Sequence, residues 1–263
     1  MPDISFVETL ELAGDERLAA LRPDQDHTVE SALRRGTRQT AAGTIVPNLR
    51  AAVNGGALVS FVAGLSEAEM SDVLFSTQLA QRAASAKHDR FAATKAWYDL
   101  YADVLMRLGW AGEAFAFTQR AKTAGSFTID RSALDVIMTI ATGNQLAILV
   151  KTLQTLKGLA DSSGAIHVFE LQALAEQSGN FQLGAAQRAA NGALSLALGA
   201  FHFRTRDARR RALFVTWGAE EIEFWTGAQK MTLNNGLYAK HRDAVAARLA
   251  ADGADYIAAL DIV

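Results

Sequence analysis

The chain has 263 residues, 50% of them hydrophobic, with a mean hydropathy of +0.07 and a formal net charge of −2. That is enough apolar material for one or two packed cores and argues against extended disorder. The near-neutral balance excludes a global pull toward nucleic acid or anionic membrane, and the lack of cysteine excludes disulfides, thiolate catalysis and cysteine-ligated metal.

Residues 1–16 have neither a basic start nor an apolar run, so no secretory leader is expected. No window of about 18 residues is free of polar interruption, so no transmembrane helix is expected either. The nearest approach, 133–160, is broken by Asp135, Asn144, Gln145 and Lys151 and reads as core helices. The expected location is the cytoplasm, or outside the cell by a route without a classical signal peptide.

Residues 1–50 are the most polar part, with Pro23, Pro47 and an arginine cluster at Arg34, Arg35 and Arg38. Val29 and Leu33 give only a thin apolar stripe, so this part is expected to form a helical or mobile arm over the core. The β-branched run 57–62, flanked by Gly55-Gly56 and Gly64, predicts a buried strand. Ser66 followed by Glu69 is a capping box, opening a helix whose apolar face is Met70, Val73 and Leu74. A second helix is predicted over 89–108, stopped by Gly109. Alternation of Phe115 and Phe117, then Phe127 and Ile129, about residues 122–125 predicts a hairpin over 113–130. Helices are predicted over 132–141 and 145–157, a strand over 165–171 and a weaker strand over 179–184.

Residues 192–233 carry the densest strand signal. Leu194, Leu196 and Leu198 share one parity, whereas Phe201 and Phe203 have the other. A slip in parity within a strand predicts a bulge, and Gly199 is placed to host it. Leu213, Val215 and Trp217 alternate next, then Ile222 and Phe224, then Met231 and Leu233. Asn234 or Asn235 is expected to cap a last helix carrying Tyr238, Val245 and Leu249, and 256–263 to add a strand.

Dinucleotide-binding, P-loop, zinc-protease, nucleophile-elbow and EF-hand motifs are all absent. The strongest local charge is the connection holding Arg204, Arg206, Arg209, Arg210 and Arg211, with Asp207 as its one acid. Guanidinium groups crowded at a turn repel unless an anion neutralises them, and their forks match phosphate and carboxylate. One reading is a contact for an anionic ligand, lipid surface or acidic partner. The other is a solvated loop answered by Glu220, Glu221 and Glu223. Aromatic neighbours would suit a nucleic-acid platform, but the net negative charge makes that partner an unfavoured one.

No histidine pair has metal-ligand spacing, so neither a metal nor a cofactor is expected. His167 and His202 could meet across adjacent strands. Asp99 and Asp103 form an i, i+4 carboxylate pair, with Arg107 placed to neutralise Asp103. A pocket lined by His167, His202 or Asp103 is the enzymatic alternative, of open reaction.

The segments GNFQ at 179–182, LGAFHF at 198–203 and GAQKMTLN at 227–234 resemble markers of an uncharacterised family of microbial α/β proteins of similar length. The resemblance spans roughly the C-terminal two-thirds and implies no activity and no site.

Helices and strands fall in separate runs. The expected fold is therefore α+β: a largely antiparallel sheet covered by helices on one face, with residues 1–50 as an arm and 51–263 as a single domain. The expected function is non-enzymatic binding of an anionic ligand or surface through the arginine turn, in the manner of an effector. A pocket enzyme and an oligomer-forming assembly protein are the alternatives.

Overall fold

The structure, a computed structural model, describes residues 5–13, 50–112, 115–120, 126–159, 164–206, 213–218, 221–251 and 257–260. Most of the 1–50 arm, residues 121–125, Arg209 to Arg211 and Glu220 lie outside them. Helix α1 is Ser5–Thr9, followed by strands β1 (Ala51–Asn54) and β2 (Ala57–Phe61). Helices α2 (Glu67–Lys87) and α3 (Thr94–Arg107) come next, then short strands β3 (Trp110–Ala111), β4 (Thr118–Gln119) and β5 (Ser126–Thr128). Helices α4 (Ile129–Ile137), α5 (Gly143–Leu159) and α6 (Gly164–Ala173) lead into β6 (Leu174–Ala175) and the long strands β7 (Ser178–Arg188) and β8 (Leu194–Thr205). After β9 (Thr216–Gly218), β10 (Ile222–Leu233) completes the central strands. Helices α7 (Asn235–Tyr238) and α8 (Arg242–Ala251) and strand β11 (Ile257–Leu260) end the description.

The fold is α+β. The main sheet runs β11-β1-β2-β7-β8-β10-β3, with β4 on β10 and β6 on β7, and β5 pairs with β9 apart from it. The expectation of a largely antiparallel sheet is corrected: the sheet is mixed, because β2 lies parallel to β7, Ala57 opposite Gln182 and Phe61 opposite Ala186. Two parallel neighbours need a crossover, and α2 to α6 all lie in the chain between them. A crossover that long leaves no local mark in either strand.

Helices cover both faces of the sheet, not one. Met70, Val73, Tyr98, Tyr101 and Leu105 of α2 and α3 pack with Leu194, Leu196 and Leu198. On the other face Ile137, Leu149, Leu153 and Phe169 of α4, α5 and α6 pack with Phe181, Phe201 and Phe203. This explains the parity slip. β8 pairs without interruption with β7, from Ser178 opposite Arg204 to Arg188 opposite Leu194. It pairs equally evenly with β10, from Ile222 opposite Thr205 to Leu233 opposite Leu194. There is no bulge at Gly199. The strand is buried on both faces, and its large side chains change from one core to the other halfway along. Gly199 serves a different purpose: a Cβ there would stand 2.6 Å from the Phe201 ring and 2.8 Å from Ile137.

Three other expectations change. Residues 165–171 form helix, not strand: Phe169 and Ala173, four apart, are both buried. The 113–130 hairpin does not form. β4 pairs with β10, β5 pairs with β9, and Ile129 opens α4. The weak strand at 179–184 is in fact the eleven-residue β7. Its signal was masked because Asn180 and Gln182 are fully buried polar residues in the middle of it.

The capping box is present: the Ser66 hydroxyl accepts from Glu69 N–H at 3.3 Å and the Glu69 carboxylate accepts from Ser66 N–H at 2.8 Å. Burial works against ionisation of Glu69, but its bonds from Arg188 and Ser66 outweigh that and hold its pKa below the usual carboxylate range. One carboxylate thus fixes the start of α2 and ties it to the end of β7. At the N-terminus Val7 of α1 is fully buried, and the Arg248 guanidinium donates to the Leu10 carbonyl at 2.9 Å.

Candidate functional site

An open cleft of about 690 Å³ lies where the start of α3, the segment before β4 and the ends of β8 and β10 converge. Its walls include Thr94, Phe115, Phe117, His202, Arg204 and Trp225. β-Strand alternation sets the β8 side: His202 and Arg204, two apart, face the α3 side of the sheet. Trp225 lies directly opposite His202 in the ladder, and the two rings stack 5.3 Å apart. The Arg204 guanidinium lies 5.9 Å from the Trp225 ring centre, within reach of a cation–π contact.

His202 is held firmly. Its Nδ1 is 3.0 Å from the Gly179 carbonyl and 3.4 Å from the Thr94 hydroxyl. A carbonyl can only accept, so the assigned tautomer carries its proton on Nδ1 and leaves Nε2 as an acceptor. Burial, and then the charge of Arg204, push its pKa down to about 4, against a pull the other way from Gly179. The ring is therefore neutral at pH 7.

Behind the cleft the polar strand β7 meets α3. The Tyr98 hydroxyl donates to Asn180 Oδ1 at 2.8 Å, and Arg90 donates to the Asn180 carbonyl at 2.7 Å. The Gln182 amide and the Tyr101 hydroxyl have no partner of good geometry, although Gln182 lies close enough to favour the Tyr98 and Tyr101 phenolates. Burial dominates and pushes both phenol pKas well up, so both stay protonated.

Of the arginine turn, Arg204 and Arg206 are described and both are exposed. The alternative of neutralisation by the neighbouring acids is not formed among the described residues. Glu221 instead accepts from Gly218 N–H at 3.0 Å. Glu223 faces Arg204 across the ladder without an ion pair. Asp103 pairs with Arg107 at 3.0 Å on an exposed part of α3, and its neighbour Asp99 pairs with Lys95 at 2.7 Å on the cleft rim. The backbone of His167 lies in α6, on the face of the sheet opposite α3. Among the described residues no three His, Asp or Glu side chains are grouped to hold a metal ion, and no helix is long and apolar enough to cross a membrane.

Sequence reasoning reached His202 and Arg204 but missed Trp225, Phe117 and Thr94. Trp225 was legible as the odd-parity partner of Phe224 on β10, pointing away from that core. The approach of α3 and of residues 115–117 was not, since it is purely tertiary.

The fold and the cleft together define an α+β protein with two helical layers on a mixed sheet and an aromatic cleft at one end. No family model matches the chain, and no curated protein matches it. Among solved structures it is similar to the Evf virulence factor, at 10% identity over 84% of this chain and 89% of that one, with a TM-score of 0.37. It is also similar to a delta-endotoxin, at 10% identity over 69% of this chain and 84% of that one, with a TM-score of 0.40.

Proposed function

We propose that this chain is a binding protein of effector type that engages an anionic surface through the arginine turn after β8. The supporting observation is that Arg204 and Arg206 are exposed at the end of a strand paired on both sides, with no ion pair among the described residues. Cations without a carboxylate partner keep their attraction for an external anion, and the backbone of a strand end that is already ordered adds little to the cost of presenting them. Arg209, Arg210 and Arg211 follow within a few residues and extend the same charge. The contact is local, because the net charge of the chain is −2.

The test is sedimentation with vesicles of phosphatidylcholine and phosphatidylglycerol. Binding is expected to weaken as salt shortens the screening length below about 8 Å. It is expected to fall at least several-fold when Arg209, Arg210 and Arg211 are all changed to Ala. Binding that ignores both salt and the triple substitution would refute the proposal.

A further inference from the structure

The cleft makes a sharper statement than the turn. Three kinds of group meet in it. Phe115, Phe117 and the half-buried Trp225 offer flat apolar walls. Arg204 supplies a guanidinium that no described carboxylate neutralises, whereas the other cation on the rim, Lys95, is paired to Asp99. His202 turns its bonded Nδ1 inward, toward Gly179, and its Nε2 carries no hydrogen bond and is not sealed from solvent. A neutral imidazole nitrogen of this kind accepts from an O–H or N–H and gives nothing to an anion. The volume, about 690 Å³, is that of a small-molecule site.

These groups specify a ligand by chemistry. Aromatic walls favour a planar ring body, which stacks or meets edges at little conformational cost. One unpaired guanidinium calls for one anionic group, because the other rim cation, Lys95, is already engaged by Asp99. The Nε2 acceptor calls for a hydrogen-bond donor on the ring body. We propose that the cleft binds a small planar aromatic acid bearing one carboxylate or sulfonate and one hydroxyl or N–H donor. This goes beyond the arginine-turn reading: it shares Arg204 with that reading, but its aromatic walls and the His202 acceptor lie outside the turn.

The chain carries its own reporter. Of its four tryptophans, Trp97, Trp110 and Trp217 are at most 2% exposed, and only Trp225 borders the cleft. Titration with 6-hydroxy-2-naphthoate, by calorimetry and by tryptophan quenching, is expected to saturate below millimolar concentration. 2-Naphthol, which lacks the acid, and laurate, which lacks the ring, are each expected to bind at least tenfold more weakly. Arg204→Gln should weaken hydroxynaphthoate about tenfold and leave naphthol unchanged. Trp225→Phe should keep most of the affinity and lose the quenching. Arg204 is exposed, so its variant should fold, and a thermal melt checks that. Absence of saturation, laurate binding more tightly than the naphthoate, or an Arg204→Gln variant of unaltered affinity would each overturn the proposal. The Arg209, Arg210 and Arg211 triple variant should leave naphthoate binding intact, so failure on vesicles and failure in the cleft are separable results.

Discussion

His202 shows how a single side chain takes its properties from its surroundings. In the unfolded chain it titrates near the ordinary value of 6.5, whereas in the fold burial and Arg204 bring it to about 4. The folded form therefore binds fewer protons than the unfolded form between those values, so stability falls as pH falls through that window. At pH 4.5 the loss is on the order of 2–3 kcal/mol. His241 is shifted in the same direction, by burial and then by Lys240, so a variant without His202 retains a residual slope from it. In His202→Gln the difference in unfolding free energy between pH 7 and pH 4.5, measured in urea, should shrink by about that amount. An unchanged difference would mean that the imidazole is not held neutral.

At the scale of the element, β8 carries the argument. Its sequence has one apolar parity for half its length and the other parity for the rest. A strand with one wet face would have to bulge to keep both halves buried. A strand with a core on each side need not, and β8 keeps even register with both neighbours. Gly199 is small because Phe201 and Ile137 occupy the space a side chain would need. Gly199→Ala is therefore expected to cost about 1–3 kcal/mol through overpacking, read as a lower denaturation midpoint with an unchanged slope. Were Gly199 a bulge residue, the cost would come with a changed β8–β10 register, which amide chemical shifts would reveal. β7 carries the opposite lesson: its buried Asn180 and Gln182 conceal a central strand, because they are committed to the α3 side and not to an apolar stripe.

Across the whole molecule, the sheet is the frame and its centre is β7, β8 and β10. Amides of β8 lie between two long ladders and beneath helices on both faces, so they should exchange most slowly in hydrogen–deuterium exchange. Those of β11 at the sheet edge should exchange much faster. Faster exchange in β8 than in α3 would contradict this ordering. The cleft sits at one end of this frame, where two rigid strands supply His202, Arg204 and Trp225 and α3 supplies Thr94.

Local signals in the sequence were enough for the mixture of helices and strands, the capping box at Ser66, the strand over β2, the strands β8 and β10, and the arginine cluster. Each depends on residues within a few positions of one another, where period, cap chemistry and charge act directly. The parallel pairing of β2 with β7, the second helical layer, the helix at 164–173 and the assembly of the cleft were decided by tertiary structure. Hydrogen-bond direction between strands more than 100 residues apart leaves no local pattern. The polarity of a buried strand, likewise, depends on which helix comes to rest against it.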